Sequence, residues 1–163
     1  MYEFNAHEVF QIAMEIEENG RIFYEKAKEK VEDQSTKKIF TALALAEIEH
    51  KKRFASMKAQ LPPPSGKDEV YDPYNEANAY LRMMAEMHVF RTDEEVEEQL
   101  SWITGAIDAV NLAIQFEKDS IIFFLDMQDA TTGNQERELI GQLVNEERQH
   151  LKKLSLKLRE VTR

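Results

Sequence analysis

One polar pattern occurs twice in this chain, one hundred positions apart, and both times on helix faces that should be apolar. Ala13, Glu17, Phe23 and Tyr24 return as Ala113, Glu117, Phe123 and Phe124, and Leu43, Glu47, His50 and Phe54 return as Leu143, Glu147, His150 and Leu154. Leu43, Glu47, His50 and Phe54 are spaced i, i+4, i+7 and i+11, so on a helix they share one face. The leucine and phenylalanine mark that face as core. A carboxylate buried alone on it would cost several kcal/mol or would take up a proton. A fold that accepts this pattern twice must hold something in its core that compensates the charge.

The repeat also sets the architecture. Four long helical patterns are predicted. The first runs from about Ala6 to Val31, with Asn5 as N-cap and an apolar stripe through Val9, Phe10, Ala13, Ile16, Phe23, Tyr24 and Ala27. After the short polar segment Glu32–Ser35 the second turns back from about Thr36 to Gln60, and Pro62, Pro63 and Pro64 stop it. The third covers about Ala106 to Ala130 and the fourth about Gln135 to Val161, with TTGN between them. Between the hairpins, residues 61–105 begin as a Pro-rich loop, then predict a helix from about Asn75 to Val89 and a shorter one, DEEVEEQLSW, capped by Thr92. Trp102, Met83, Met84 and Met87 are expected to pack this crossover onto the bundle. The reading is one all-α domain over 1–163, a ferritin-like four-helix bundle of two helical hairpins. The long crossover carries short helices and leaves the second and third long helices parallel.

Composition narrows the function classes. Gly (5) and Pro (4) are scarce, which suits helix, and 42% apolar with 32% charged residues suits a globular chain. The formal charge of −10 speaks against nucleic acid or an anionic membrane as partner. The absence of cysteine excludes disulfides and thiolate metal sites. No stretch approaches the roughly 20 apolar residues of a membrane span, and with no signal peptide in view the expected location is cytoplasmic.

At about 100° per residue, Glu17 lies within roughly 40° of Phe10, Ala13 and Tyr24, and Glu117 lies equally close to Val110, Ala113 and Phe124. Each histidine follows its glutamate at i+3, so the two project from adjacent turns and reach one point. Four inward carboxylates carry about −4 and two divalent cations +4, which leaves the cluster neutral. The candidate metal ligands are therefore Glu17, Glu47, His50, Glu117, Glu147 and His150. An oxygen-rich set with one nitrogen per metal suits two iron ions, with Mn or Zn as possible substitutes. The expected catalytic machinery is this same di-metal cluster. Tyr24, two turns from Glu17, is a candidate hydrogen-bond donor to a ligating carboxylate. Glu49 and Glu146 neighbour the ligands but are expected to point elsewhere, and His7 and His88 are expected to serve surface or packing roles.

The stretches AMEIEENGRIFYEKA, LALAEIEHKKRF, LAIQFEKDSIIFFLDM and LVNEERQHLKKL resemble the rubrerythrin branch of the ferritin-like di-iron carboxylate superfamily. The paired Glu…ExxH motifs carry the resemblance to di-iron bundles. The Glu-x-x-Gly/Ser-x-x-Phe-Tyr/Phe context narrows it to rubrerythrin-like members. It implies the same six ligands, with either Glu47 and Glu147 or Glu17 and Glu117 as bridges. It also implies an oxidoreductase that reduces hydrogen peroxide or dioxygen with electrons from an external donor such as rubredoxin, and a homodimer. Two departures stand out. This chain has no cysteine for a rubredoxin-like site, and Ser120 stands where many rubrerythrins place an extra glutamate. The alternatives are a ferroxidase or other iron-handling protein, and a non-catalytic metal-stabilised bundle that binds a partner.

Overall fold

The computed structural model describes residues 6–61, 76–88, 90–131 and 133–163. Asn5, the three prolines after Leu61, the loop through Tyr74 and the helix start at Asn75 lie outside the described residues. Six helices follow in order: α1 (Ala6–Lys30), α2 (Gln34–Gln60), α3 (Glu76–Glu86), α4 (Asp93–Ser101), α5 (Ala106–Ala130) and α6 (Asn134–Val161). The four long ones start and stop within two residues of their expected limits. Among the described residues no helix is long and apolar enough to cross a membrane.

Local chemistry explains the boundaries. Asp33 caps α2 by accepting from the Thr36 backbone N–H at 2.8 Å, and Thr92 caps α4 by accepting from Glu95 N–H at 3.3 Å. Each long helix then buries one stripe. On α2 the buried set is Thr36, Phe40, Leu43, Ala44, Glu47, His50, Phe54 and Met57; on α6 it is Ile140, Leu143, Val144, Glu147, His150, Leu154 and Lys157. The 100-residue repeat survives in the packing, down to Lys157, which stands where Met57 stands. Lys157 is tolerated because its ammonium meets Asp33 at 2.8 Å and Glu160 at 3.1 Å, tying the end of α6 to the cap of α2.

α1 lies along α2, α5 lies along α6, and the hairpins meet through α1 against α5 and α2 against α6. Aromatic contacts give the directions. Phe54 touches both Phe10 and Phe124 at one level, with ring centroids 6.2 and 5.0 Å apart, while Tyr24 touches Phe40 and Phe116 at the other, at 5.5 and 6.0 Å. Rising numbers on α2 therefore accompany rising numbers on α5 and falling numbers on α1. The second and third long helices are therefore parallel, and the described crossover helices α3 and α4 pack against α5 and α1.

The crossover seats itself differently from expectation. Trp102 is 73% exposed, Met87 68% and Met83 47%, and of the named group only Met84 packs on the core. The reason is angular. α4 buries Val96 and Leu100, one turn apart, and Trp102 follows Leu100 by about 200°. On the α3 side the inward positions are Met84 and, one turn later, His88, and Met83 and Met87 flank that stripe. The helix also ends at Glu86 rather than Val89, because the chain then turns inward to bury His88 and Phe90. Phe90 packs on Phe23 and Phe116 (centroids 4.9 and 5.6 Å), and its carbonyl accepts from the Asn19 amide at 3.4 Å.

Gly20 makes one close approach possible. A methyl group there would stand 2.8 Å from Cε1 of Phe116, nearer still to Cζ, and 3.3 Å from Cδ of Glu47. Alanine in a helix interior ordinarily gains about 1 kcal/mol over glycine. Here overpacking against a rigid ring costs typically 1–3 kcal/mol and wins. Gly20→Ala should therefore lower the midpoint of thermal unfolding, followed by circular dichroism; a raised midpoint would show that Phe116 moves freely.

Candidate metal centre

All six residues singled out by the repeat converge in the middle of the bundle. Glu17, Glu47, His50 and Glu147 offer donor atoms within 4.8 Å of one another, and so do Glu47, Glu117, Glu147 and His150. Every one of them is buried, His150 most loosely at 7% exposure. Glu47 and Glu147 belong to both groups, and Glu17 and Glu117 to one each. α1, α2, α5 and α6 thus each supply one carboxylate, and α2 and α6 add one imidazole apiece.

The two imidazoles lie nearly parallel, centroids 5.6 Å apart and planes 17° apart. Both turn Nδ1 inward. His50 Nδ1 is 2.6 Å from Glu147 Oε1, 3.5 Å from Glu17 Oε2 and 4.0 Å from Glu47 Oε2. His150 Nδ1 is 2.9 Å from Glu147 Oε2 and 3.8 Å from Glu117 Oε1. Tyr24, from α1, reaches across to α5, where its hydroxyl donates a short hydrogen bond to Glu117 Oε1. The sequence placed this phenol on the face of Glu17; its partner is the glutamate of the opposite hairpin.

The protonation of the cluster follows from burial. Burial raises Glu17 and Glu47 well above the usual carboxylate range, the neighbouring carboxylates Glu117 and Glu147 push the same way, and Glu117 rises to about 8. Glu147 is held below that range: burial opposes its charge, and contacts with His150 and His50 overcome it. Burial likewise works against charge on the imidazoles, yet Glu147 and its neighbours lift His50 to about 9, while Glu117 and Glu147 lift His150 to about 10. Protons thus do for the metal-free cluster what cations would do for a loaded one.

These residues fit a pair of divalent cations. Both oxygens of Glu17, Oε1 of Glu47, Oε2 of Glu117, Oε1 of Glu147 and Nδ1 of His50 are buried without a hydrogen-bond partner. Buried polar atoms are nearly always paired, so six orphans facing one another need a common partner. His50 Nδ1 and Glu147 Oε1 lie 2.6 Å apart without meeting in hydrogen-bond geometry, so neither atom is satisfied by the other. Each group offers three carboxylates and one imidazole, a hard donor set suited to iron or manganese.

Around the centre the outcomes differ. Glu49 is exposed and pairs with Lys52, as expected. His88 packs edge-on against Phe116, in keeping with a packing role, and its Nε2 lies 3.1 Å from the Ser120 hydroxyl. Its Nδ1 accepts from Phe90 N–H at 3.3 Å, and burial lowers the ring to about 4, so it stays neutral. Glu146 corrects the expectation that it points elsewhere. On α6 it faces the seam with α2, where its Oε2 lies 3.1 Å from Nε2 of His50 and its Oε1 accepts from Arg53 at 2.5 Å. The sign of this contact in the sequence is the mismatch in the repeat, where Glu146 stands opposite Ala46.

The sequence model of the rubrerythrin family matches residues 8–158. Among solved structures, a Thermotoga maritima protein described as a candidate ferritin-like diiron-carboxylate protein superposes with a TM-score of 0.71 at 22% identity, over 99% of each chain. At that identity the likeness concerns the fold, which is the ferritin-like bundle. No curated protein matches the chain.

Proposed function

The chain belongs to the rubrerythrin family, and on that premise we propose that it is a di-iron oxidoreductase that reduces hydrogen peroxide or dioxygen with electrons from an external donor such as rubredoxin. The observation that carries this reading is the pair of overlapping, buried Glu₃His groups with unpartnered donor atoms. One position would be held by Glu17, Glu47, His50 and Glu147, the other by Glu47, Glu117, Glu147 and His150. Glu47 and Glu147 would bridge, because both groups contain them.

Two bound iron ions supply a pair of electrons to one small oxidant at one place, so that H₂O₂ with two electrons and two protons becomes two waters. The protein's own residues prepare that place. The four glutamates neutralise the cations in a core where water does not. Tyr24 holds Glu117 in orientation through its Oη–H donated to Oε1. Burial first, and the charge on Glu117 next, keep that phenol protonated. Phe116 stands against Gly20, and the Tyr24 ring meets Phe116 edge-on.

The test is anaerobic loading with Fe²⁺ followed by H₂O₂ and a reductant. Peroxide should disappear much faster than in the Glu47→Ala protein treated alike. Equal rates would overturn the oxidoreductase reading, and uptake of many iron ions per chain would favour iron storage instead.

A further inference from the structure

Resting on the di-metal reading above, we propose that Glu146 and Arg53 form a positioning device that makes the two metal positions unequal, so that the cation held by His50 binds first and more tightly. By composition alone the positions should be twins, since each has three glutamates and one histidine. Their outer neighbours are not. Behind His50, Nε2 meets Glu146 Oε2 at 3.1 Å, and the other oxygen of that carboxylate is engaged by Arg53, one helical turn after His50 on α2. Nδ1 of the same ring faces the cluster.

A carboxylate on the distal ring nitrogen does three things. It fixes the tautomer with the proton on Nε2, it stops the ring from turning, and it makes Nδ1 a better donor. The repeat offers His150 no such help, because the residue that corresponds to Glu146 is Ala46 and the one that corresponds to Arg53 is Lys153. A second asymmetry acts in the same direction. Tyr24 donates to Glu117, a carboxylate of the His150 position only, and draws electron density from it. The residue that corresponds to Tyr24 in the other half is Phe124, which has no hydroxyl to offer Glu17. One device strengthens a donor at the first position, and the other weakens a donor at the second.

The experiment is an anaerobic titration of the metal-free protein with Co²⁺, read by calorimetry and by visible absorption. Wild type should bind two ions in resolved steps at least about tenfold apart. Losing such an outer partner typically costs 10–100-fold in affinity. Glu146 is 42% exposed and partly screened by water, so Glu146→Ala should weaken the first step by about tenfold and leave the second. His150→Ala should abolish the second step and keep the first. Ala46→Glu should tighten the second step toward the first. A readout that bulk stability would not move is the ¹⁵N spectrum of the His50 ring in the metal-free protein above about pH 9, where that ring is neutral; it should show Nε2–H in wild type and a tautomer mixture in Glu146→Ala. Two equal steps in wild type, or an unchanged first step in Glu146→Ala at unchanged melting temperature, would overturn the inference and leave the metal centre standing. No Co²⁺ binding by wild type would overturn both.

Discussion

Glu47→Leu should yield a metal-free protein that is more stable than wild type and that no longer responds to metal. In the metal-free fold Glu47 is buried, protonated and short of a partner for Oε1. An apolar side chain of similar size removes that unsatisfied group, a gain of about 1–3 kcal/mol. The same change deletes a donor shared by both cation positions. In wild type each cation at one hundred times its dissociation constant adds about 2.7 kcal/mol. Two therefore add about 5 kcal/mol, or ~10–20 °C in a chain of this size. Thermal melts with and without Mn²⁺ or anaerobic Fe²⁺ measure both effects. A variant less stable than wild type without metal would mean that Glu47 is a structural residue, and a retained metal response would remove it from the centre.

The second large effect is on pH. Glu117 loses its proton near 4.5 when unfolded but at about 8 when folded. Between those values the unfolded chain binds fewer protons, so stability falls as pH rises. Glu17 and Glu47 act in the same sense. His50 and His150, raised from 6.5 to about 9 and about 10, contribute stability in full below 6.5 and lose it as pH rises through those values. Glu147 runs the other way: its folded value is depressed, so its contribution is present above 4.5 and is lost as pH falls below it. The metal-free protein should therefore be most stable in mild acid, and its melting temperature should fall between pH 6 and 9. Glu117, buried among the other carboxylates, contributes to this fall throughout the range between pH 4.5 and 8. Cations need these ligands deprotonated, so the loaded protein should gain relative to the metal-free one over the same range. Paired melts across pH with and without Mn²⁺ check this. Parallel curves, or a metal-free protein that gains stability from pH 6 to 9, would contradict it.

Both effects come from the same arrangement, a core built around carboxylates that protons or cations must neutralise. A fold selected only for stability would fill positions 17, 47, 117 and 147 with apolar side chains. The bundle gives up that stability to hold a centre.

Much of this was legible in the amino-acid sequence, because it depends on contacts between near neighbours along the chain. Helix limits follow from the apolar stripe and from a cap such as Thr92, which acts within one turn. The six converging residues follow from i, i+3 and i, i+4 spacing, from the offset of one hundred residues, and from the cost of burying a carboxylate singly. That α2 and α5 run parallel follows from the length of the connection between them. The tertiary structure alone decided what depends on how helices rotate and slide against one another. Intrahelical spacing cannot say that Glu47 and Glu147 offer atoms to both four-residue groups while Glu17 and Glu117 each belong to one. Nor can it say that the Tyr24 phenol crosses to Glu117, that Glu146 meets His50 across the α2–α6 seam, or that Trp102 faces water once Val96 and Leu100 have chosen the buried side of α4. Periodicity determines which face of a helix is inward; only packing determines which atom it finds there.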